Sequence, residues 1–119
     1  MKDYVKIIKD EDSISVCLYL ELDKVFQIGE KMNAINEEAY MNGYNWEAFF
    51  NYFLAKHHPD ILNGMDSDPE AGMYAADYPL TAQNEIRAKQ FVAIIQELIE
   101  SEARLLEIVR NEGGQIEWD

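Results

Sequence analysis

The stretch Ser13-Ile14-Ser15-Val16-Cys17-Leu18-Tyr19-Leu20, with the apolar series Val25, Ile28, Gly29, Met32, Ile35 and Ala39 that follows Asp23, decides the fold. In the first part Ile14, Val16, Leu18 and Leu20 alternate with Ser13, Ser15, Cys17 and Tyr19. A period of two lines the aliphatic side chains along one face of a β-strand. Past Asp23 the spacing becomes i, i+3, i+4, i+7, the period of a helix with one buried stripe. Asp23 reads as the N-cap of that helix and Asn42-Gly43 as its stop.

Upstream, Tyr4 to Ile8 is a short β-type run, and Lys9 to Asp12 is a charged connection to the next strand. A link this short cannot hold a parallel crossover, so the two runs predict an antiparallel hairpin. Downstream, Asn45 reads as the cap of a second helix, on which Trp46, Phe49, Phe50, Phe53 and Leu54 form a broad core stripe. His57-His58-Pro59 ends it, because proline disfavours helical geometry in the residue before it. Pro59 to Asn63 reads as a further turn stopped by Gly64.

Asp68-Pro69-Glu70 has the order of a capped helical turn, with Asp as cap and Pro at the first helical position. Met73 to Tyr78 reads as a third strand ended by Pro79. Thr81 caps a long helix whose apolar side carries Ala88, Phe91, Val92, Ile95, Leu98, Ile99, Leu106 and Val109, with a bend or break at Glu100-Ser101-Glu102. Gly113-Gly114 ends that helix, and Gln115 to Trp118 reads as a last short strand. The sum is an α+β fold: a small antiparallel sheet with three or four helices packed on one face. Residues 1–119 are expected to form a single domain, since the length suits one core without a metal or disulfide staple.

Composition narrows the function. Asp and Glu number 23 against 10 Lys and Arg, a net charge of −13. Such a surface repels nucleic acid and anionic membranes and speeds encounter with a basic partner. The lone Cys17 cannot form an internal disulfide and lies in an apolar run, so it reads as a small buried side chain in a reducing compartment. The N-terminus turns polar by Lys9 and no apolar run approaches a membrane span, which predicts a soluble cytoplasmic protein.

Motifs for catalysis are missing. Asp66, Asp68 and Glu70 invite a calcium reading, but position six of such a loop is Ala71 rather than Gly, and position twelve is Asp77 rather than Glu. His57 and His58 are adjacent and so diverge on a helix. No P-loop, dinucleotide fingerprint, nucleophile elbow or zinc pattern occurs. The chain is therefore expected to be no enzyme and to use no metal or cofactor. Clustered carboxylates are instead well placed to meet the lysines and arginines of another protein.

Several segments resemble a known family: Trp46 to Lys56 leading into His58-Pro59-Asp60-Ile61-Leu62, then Gly64 to Tyr74 with its Asp66-Ser67-Asp68-Pro69-Glu70-Ala71-Gly72 block, then Glu112 to Asp119. Together they resemble the immunity protein 51 family of bacterial polymorphic toxin systems. The resemblance implies a small α+β protein that binds a cognate toxin domain and blocks it. Many such toxins are nucleases, whose phosphate-holding surface is basic. The expected anchors are Asp66, Asp68, Glu70 and Asp77, with Tyr74 or Trp118 as an aromatic hot spot. Trp46 is expected in the core, while Trp118 is open between core and surface. Two other classes fit the same composition: a cytoplasmic adaptor or regulatory subunit with no toxin partner, and a small carboxylate-dependent hydrolase.

Overall fold

The alternation in 13–20 and the run before it pair as a hairpin. In the computed structural model, which describes residues 3–119, strand β1 (Val5–Lys9) lies antiparallel to β2 (Ser13–Tyr19), with Val5 opposite Leu18 and Lys9 opposite Ile14. Two further strands, β3 (Asp66–Ser67) and β4 (Met73–Pro79), complete an antiparallel sheet of order β1-β2-β4-β3. The α+β expectation holds. Helices α1 (Asp23–Ile35), α2 (Gly43–His57), α3 (Ala82–Glu100) and α4 (Glu102–Glu112) supply the other layer. Helix α3 crosses β1 and β2, α2 lies on β4, and α4 packs against α1 and α3.

The core forms where the helix stripes meet one face of the sheet. Ile14, Val16 and Leu18 of β2 and Tyr74, Ala76 and Tyr78 of β4 point into it. Phe50 sits at its centre, with ring centroids 5.5 Å from Trp46, 4.9 Å from Tyr74 and 5.3 Å from Phe91. Trp46 is buried, as its place on the stripe predicts. The long C-terminal helix breaks at Ser101, and Thr81 caps α3 by accepting the Asn84 amide at 3.0 Å.

Five local expectations are corrected, each by side-chain or edge chemistry. Asp23 is the first residue of α1 rather than its cap; Leu22 holds the cap position without a side-chain bond, and Asp23 puts its charge on the helix's positive end. The helix also stops at Ile35, not at Asn42. There the Asn33 amide donates to the Asn36 and Glu37 carbonyls and the Asn36 side chain accepts the Glu38 amide, offering the backbone an alternative to the helix.

Helix α2 is capped by Asn42, whose side chain accepts the Asn45 amide at 3.0 Å. Asn45, expected as the cap, is buried inside the first turn. Its Nδ2 donates to the Tyr40 carbonyl at 2.8 Å and its Oδ1 accepts the Asp119 amide at 2.6 Å, so it ties the 36–42 loop to the chain's end. Asn45→Ala removes these part-buried bonds and is expected to cost about 1 kcal/mol in urea denaturation.

Asp68-Pro69-Glu70 is extended, not a helical turn. The Asp68 amide donates to the Ala75 carbonyl at 2.8 Å and the Glu70 amide to the Met73 carbonyl at 2.7 Å, closing a hairpin tipped by Ala71-Gly72. In this register the position of Pro69's missing N–H faces away from β4, on the open edge of the sheet, where a proline costs no ladder bond. Finally, Gly113–Gln115 is a 3₁₀ turn and no strand follows. Trp118 bonds locally instead, its amide donating to the Ile116 carbonyl at 3.0 Å.

Burial of phenols gives the fold an alkaline limit. Burial pushes the Tyr78 hydroxyl up to about 12 and drives Tyr74 and Tyr4 further in the same direction, the latter aided by its bond to Glu100. The unfolded chain then loses these protons first as pH rises, so the stability they carry is intact below about 10 and declines towards about 12. Urea midpoints at pH 8 and 11 are expected to show a lower value at pH 11, and a smaller drop in Tyr78→Phe.

Candidate protein-binding surface

The side of the sheet turned away from the helices collects all four acidic candidates. The β2–β4 and β4–β3 registers set Ser15 opposite Asp77 and Asp77 opposite Asp66. The ladder continues with Cys17 opposite Ala75, with Asp68 bonded to Ala75, and with Glu70 bridged to Met73. Because side chains alternate along a strand, Asp66, Asp68, Glu70 and Asp77 share one face. The first three are exposed and Asp77 is half-buried, with the Ser15 hydroxyl donating to its Oδ1 at 2.5 Å. On the far side of the same face Lys6 lies over the Tyr19 ring at 5.8 Å. The face is thus acidic along β3 and β4 and carries a cation at β1.

This arrangement holds like charges together. Residues directly opposite across an antiparallel ladder have Cβ atoms about 4.5–5.5 Å apart, and two carboxylates placed so repel. The Asp66–Asp77 pair therefore works against the fold and is available to a cationic partner. Cys17 lies in the middle of this face but is buried among its neighbours. Burial, then the Asp77 charge, pushes its thiol up, which makes it a poor nucleophile.

The other two candidates lie elsewhere. Tyr74 points into the core with its whole side chain covered, so in the folded protein it cannot touch a partner. Its alternation with Met73 and Ala75 places it on the helix side. Trp118 is half-buried, its Nε1 donating to the Gly113 carbonyl at 3.0 Å. It lines an open groove of about 490 Å³ with Tyr44, Glu47, Asn51, Tyr52 and Glu117. Glu47 links that groove to the sheet edge by accepting the Ser67 hydroxyl of β3. At the groove's end Lys56, then Tyr52, hold Glu112 below the usual carboxylate range.

Among the described residues no group of three or more His, Cys, Asp or Glu side chains is arranged to hold a metal ion, and no helix is long and apolar enough to cross a membrane. Extended strands explain the first point, because they spread Asp66, Asp68 and Glu70 along a ladder instead of converging them on one centre.

A family model for immunity protein 51 matches residues 5–113. The chain belongs to that family. No curated protein and no solved structure is found to match it. The match takes in the sheet and all four helices of this immunity protein, and with them the acidic face; Trp118 lies beyond it. Membership implies a toxin as protein partner.

The immunity protein also exposes apolar side chains that the sequence reading passed over. Phe26 is 56% exposed and Tyr40 67% exposed, with Leu22 near them at 42%. A signal was present: Phe26 follows Val25 directly and falls off the stripe that α1 buries. A large aromatic on the polar side of a helix has no core role to fill.

Proposed function

We propose that this immunity protein binds a cognate bacterial toxin domain stoichiometrically and neutralises it through its acidic sheet face. The observation that carries this reading is the placement of Asp66, Asp68, Glu70 and Asp77 on one open face of a chain with net charge −13. The partner surface is basic, and a nuclease fits best, since a site built for phosphates presents arginines and lysines that carboxylates can occupy. The four carboxylates act as the anchors, and Trp118, beside the adjoining groove, adds aromatic contact. The protein does this in the cytoplasm of the producing cell through a single domain, without catalysis or cofactor.

Co-expression tests this directly. Cells carrying the toxin domain encoded beside this chain are expected to grow when both are made and to stop when the immunity protein is withheld. Arrest despite well-folded immunity protein argues for an adaptor or regulatory subunit instead. Long-range steering adds a kinetic signature: raising salt should slow association much more than it speeds dissociation.

A further inference from the structure

One groove on this molecule is apolar, rimmed by acid and set at the end of the sheet. It has a volume of about 350 Å³ and lies between α1, the 36–42 loop and the Ala71-Gly72 hairpin tip. Phe26 and Tyr40 line it, with Met41 against Gly29 and with Glu21 and Glu30 on its walls. Its lining contains no Lys or Arg. Among the described residues six large apolar side chains are well exposed; Phe26 and Tyr40 belong to this groove, and Leu22 to a hollow that shares Glu21 and Gly72 with it. Half of the exposed apolar side chains thus gather at one end of the molecule. The shared hollow also contains Lys6 and Tyr19, so the groove adjoins the open sheet face.

The walls are held by close backbone approaches. A Cβ on Gly29 would lie 3.1 Å from the Met41 Cβ, so glycine lets that side chain settle closely on α1, and a larger residue would push it back by a few tenths of an ångström. A Cβ on Gly43 would lie 1.9 Å from the Glu70 carbonyl oxygen, so α2 starts directly against the base of the hairpin. With the tip bonded through Glu70 and Met73, and the loop held by Asn45, the groove exists before any partner arrives. A site formed in advance loses little entropy on binding.

We infer that this groove takes a bulky apolar side chain of the toxin domain, flanked there by Lys or Arg residues that meet Glu21 and Glu30. The inference rests on the toxin-binding reading above and adds to it the centre of the interface. Desolvated aromatic pockets rimmed by charge are where binding energy concentrates, and the exposed carboxylates of the sheet face anchor the interface beside it and steer encounter. The occupant's chemistry follows from the walls: aromatic and thioether surface selects an apolar anchor, and acid with no base in the groove's own lining selects cationic flanks.

Titration calorimetry with a catalytically inactive form of the toxin domain encoded beside this chain tests the inference. Phe26→Ala combined with Tyr40→Ala is expected to weaken binding at least 30-fold with an unchanged thermal melt. Ala71→Trp, which fills the groove from its rim and removes no contact, is expected to weaken it at least tenfold. Ile86→Ala, at a similarly exposed apolar position on α3, is expected to bind as the parent does. Affinity within twofold of the parent in both groove variants overturns the inference while leaving toxin binding intact. Failure of the parent protein itself to bind overturns the proposed function and the groove's occupant with it.

Discussion

Replacing Asp66 and Asp68 together by lysine is expected to weaken toxin binding by about 10²–10³-fold, about 3–4 kcal/mol, without destabilising the fold. The two halves of that result have one cause. Asp66 faces Asp77 across the β3–β4 ladder, where like charges repel. A lysine there meets Asp77 as an opposite charge, so the folded protein gains about 0.2–1 kcal/mol at this pair while it loses its anchor for a basic partner. Ordinary disruption of a surface moves stability and binding in the same direction. Here they move apart, and that separation distinguishes an interface residue from a structural one. Calorimetric titration gives the affinity and urea denaturation the stability. Parent-like affinity in the double variant would remove the acidic face from the interface.

Phe50→Ala is expected to cost about 3–5 kcal/mol of stability, the largest loss from any single truncation in this core. Phe50 is wholly buried, and its ring meets Trp46 and Phe49 of its own helix, Tyr74 of the sheet and Phe91 of α3. It is the point at which two helices and the sheet share contacts. Removing the ring leaves a cavity bounded by stiff aromatic groups, which cannot collapse as aliphatic chains do, so little of the lost packing is recovered. A chain of this size has a total stability of about 5–15 kcal/mol, so the variant should retain only a marginal fold. A loss below about 1 kcal/mol in urea denaturation would contradict this account of the core.

The parts of this fold legible in the sequence are those governed by periodicity. Alternation in Ser13–Leu20 fixed both the strand and its buried side, and the stripes of 46–54 and 88–109 placed α2, α3 and their aromatic core. What periodicity cannot see is where backbone donors go. The helix that should have reached Asn42 stops at Ile35 because Asn33 and Asn36 satisfy backbone groups locally. Asn42 and Asn45 are both good caps, and only the packing of the loop and the chain's end against Asn45 decides between them. Asp68-Pro69-Glu70 carries a helix-start signal, yet pairing with β4 overrides it, and an edge strand tolerates the proline.

The clustering of acidic residues was legible in outline and their shared face was not. Nearness in sequence brought Asp66, Asp68 and Glu70 forward, while the ladder register is what places Asp77 beside them. The same register removes Tyr74, since a strand that exposes Asp77 must turn its odd-step neighbours inward. The groove around Phe26 and Tyr40 joins α1 and the loop after it to a hairpin tip far along the chain, so no local pattern contains it; only Phe26, stranded off the stripe of α1, hinted at it.

The most direct test of toxin neutralisation is to mix the purified chain with any toxin domain encoded beside it, follow the mixture by size-exclusion chromatography with light scattering, and assay toxin activity in the same fractions. A single one-to-one complex at low salt, with activity abolished at equimolar ratio, is the predicted result. Two folded proteins eluting separately, with toxin activity undiminished, would contradict it.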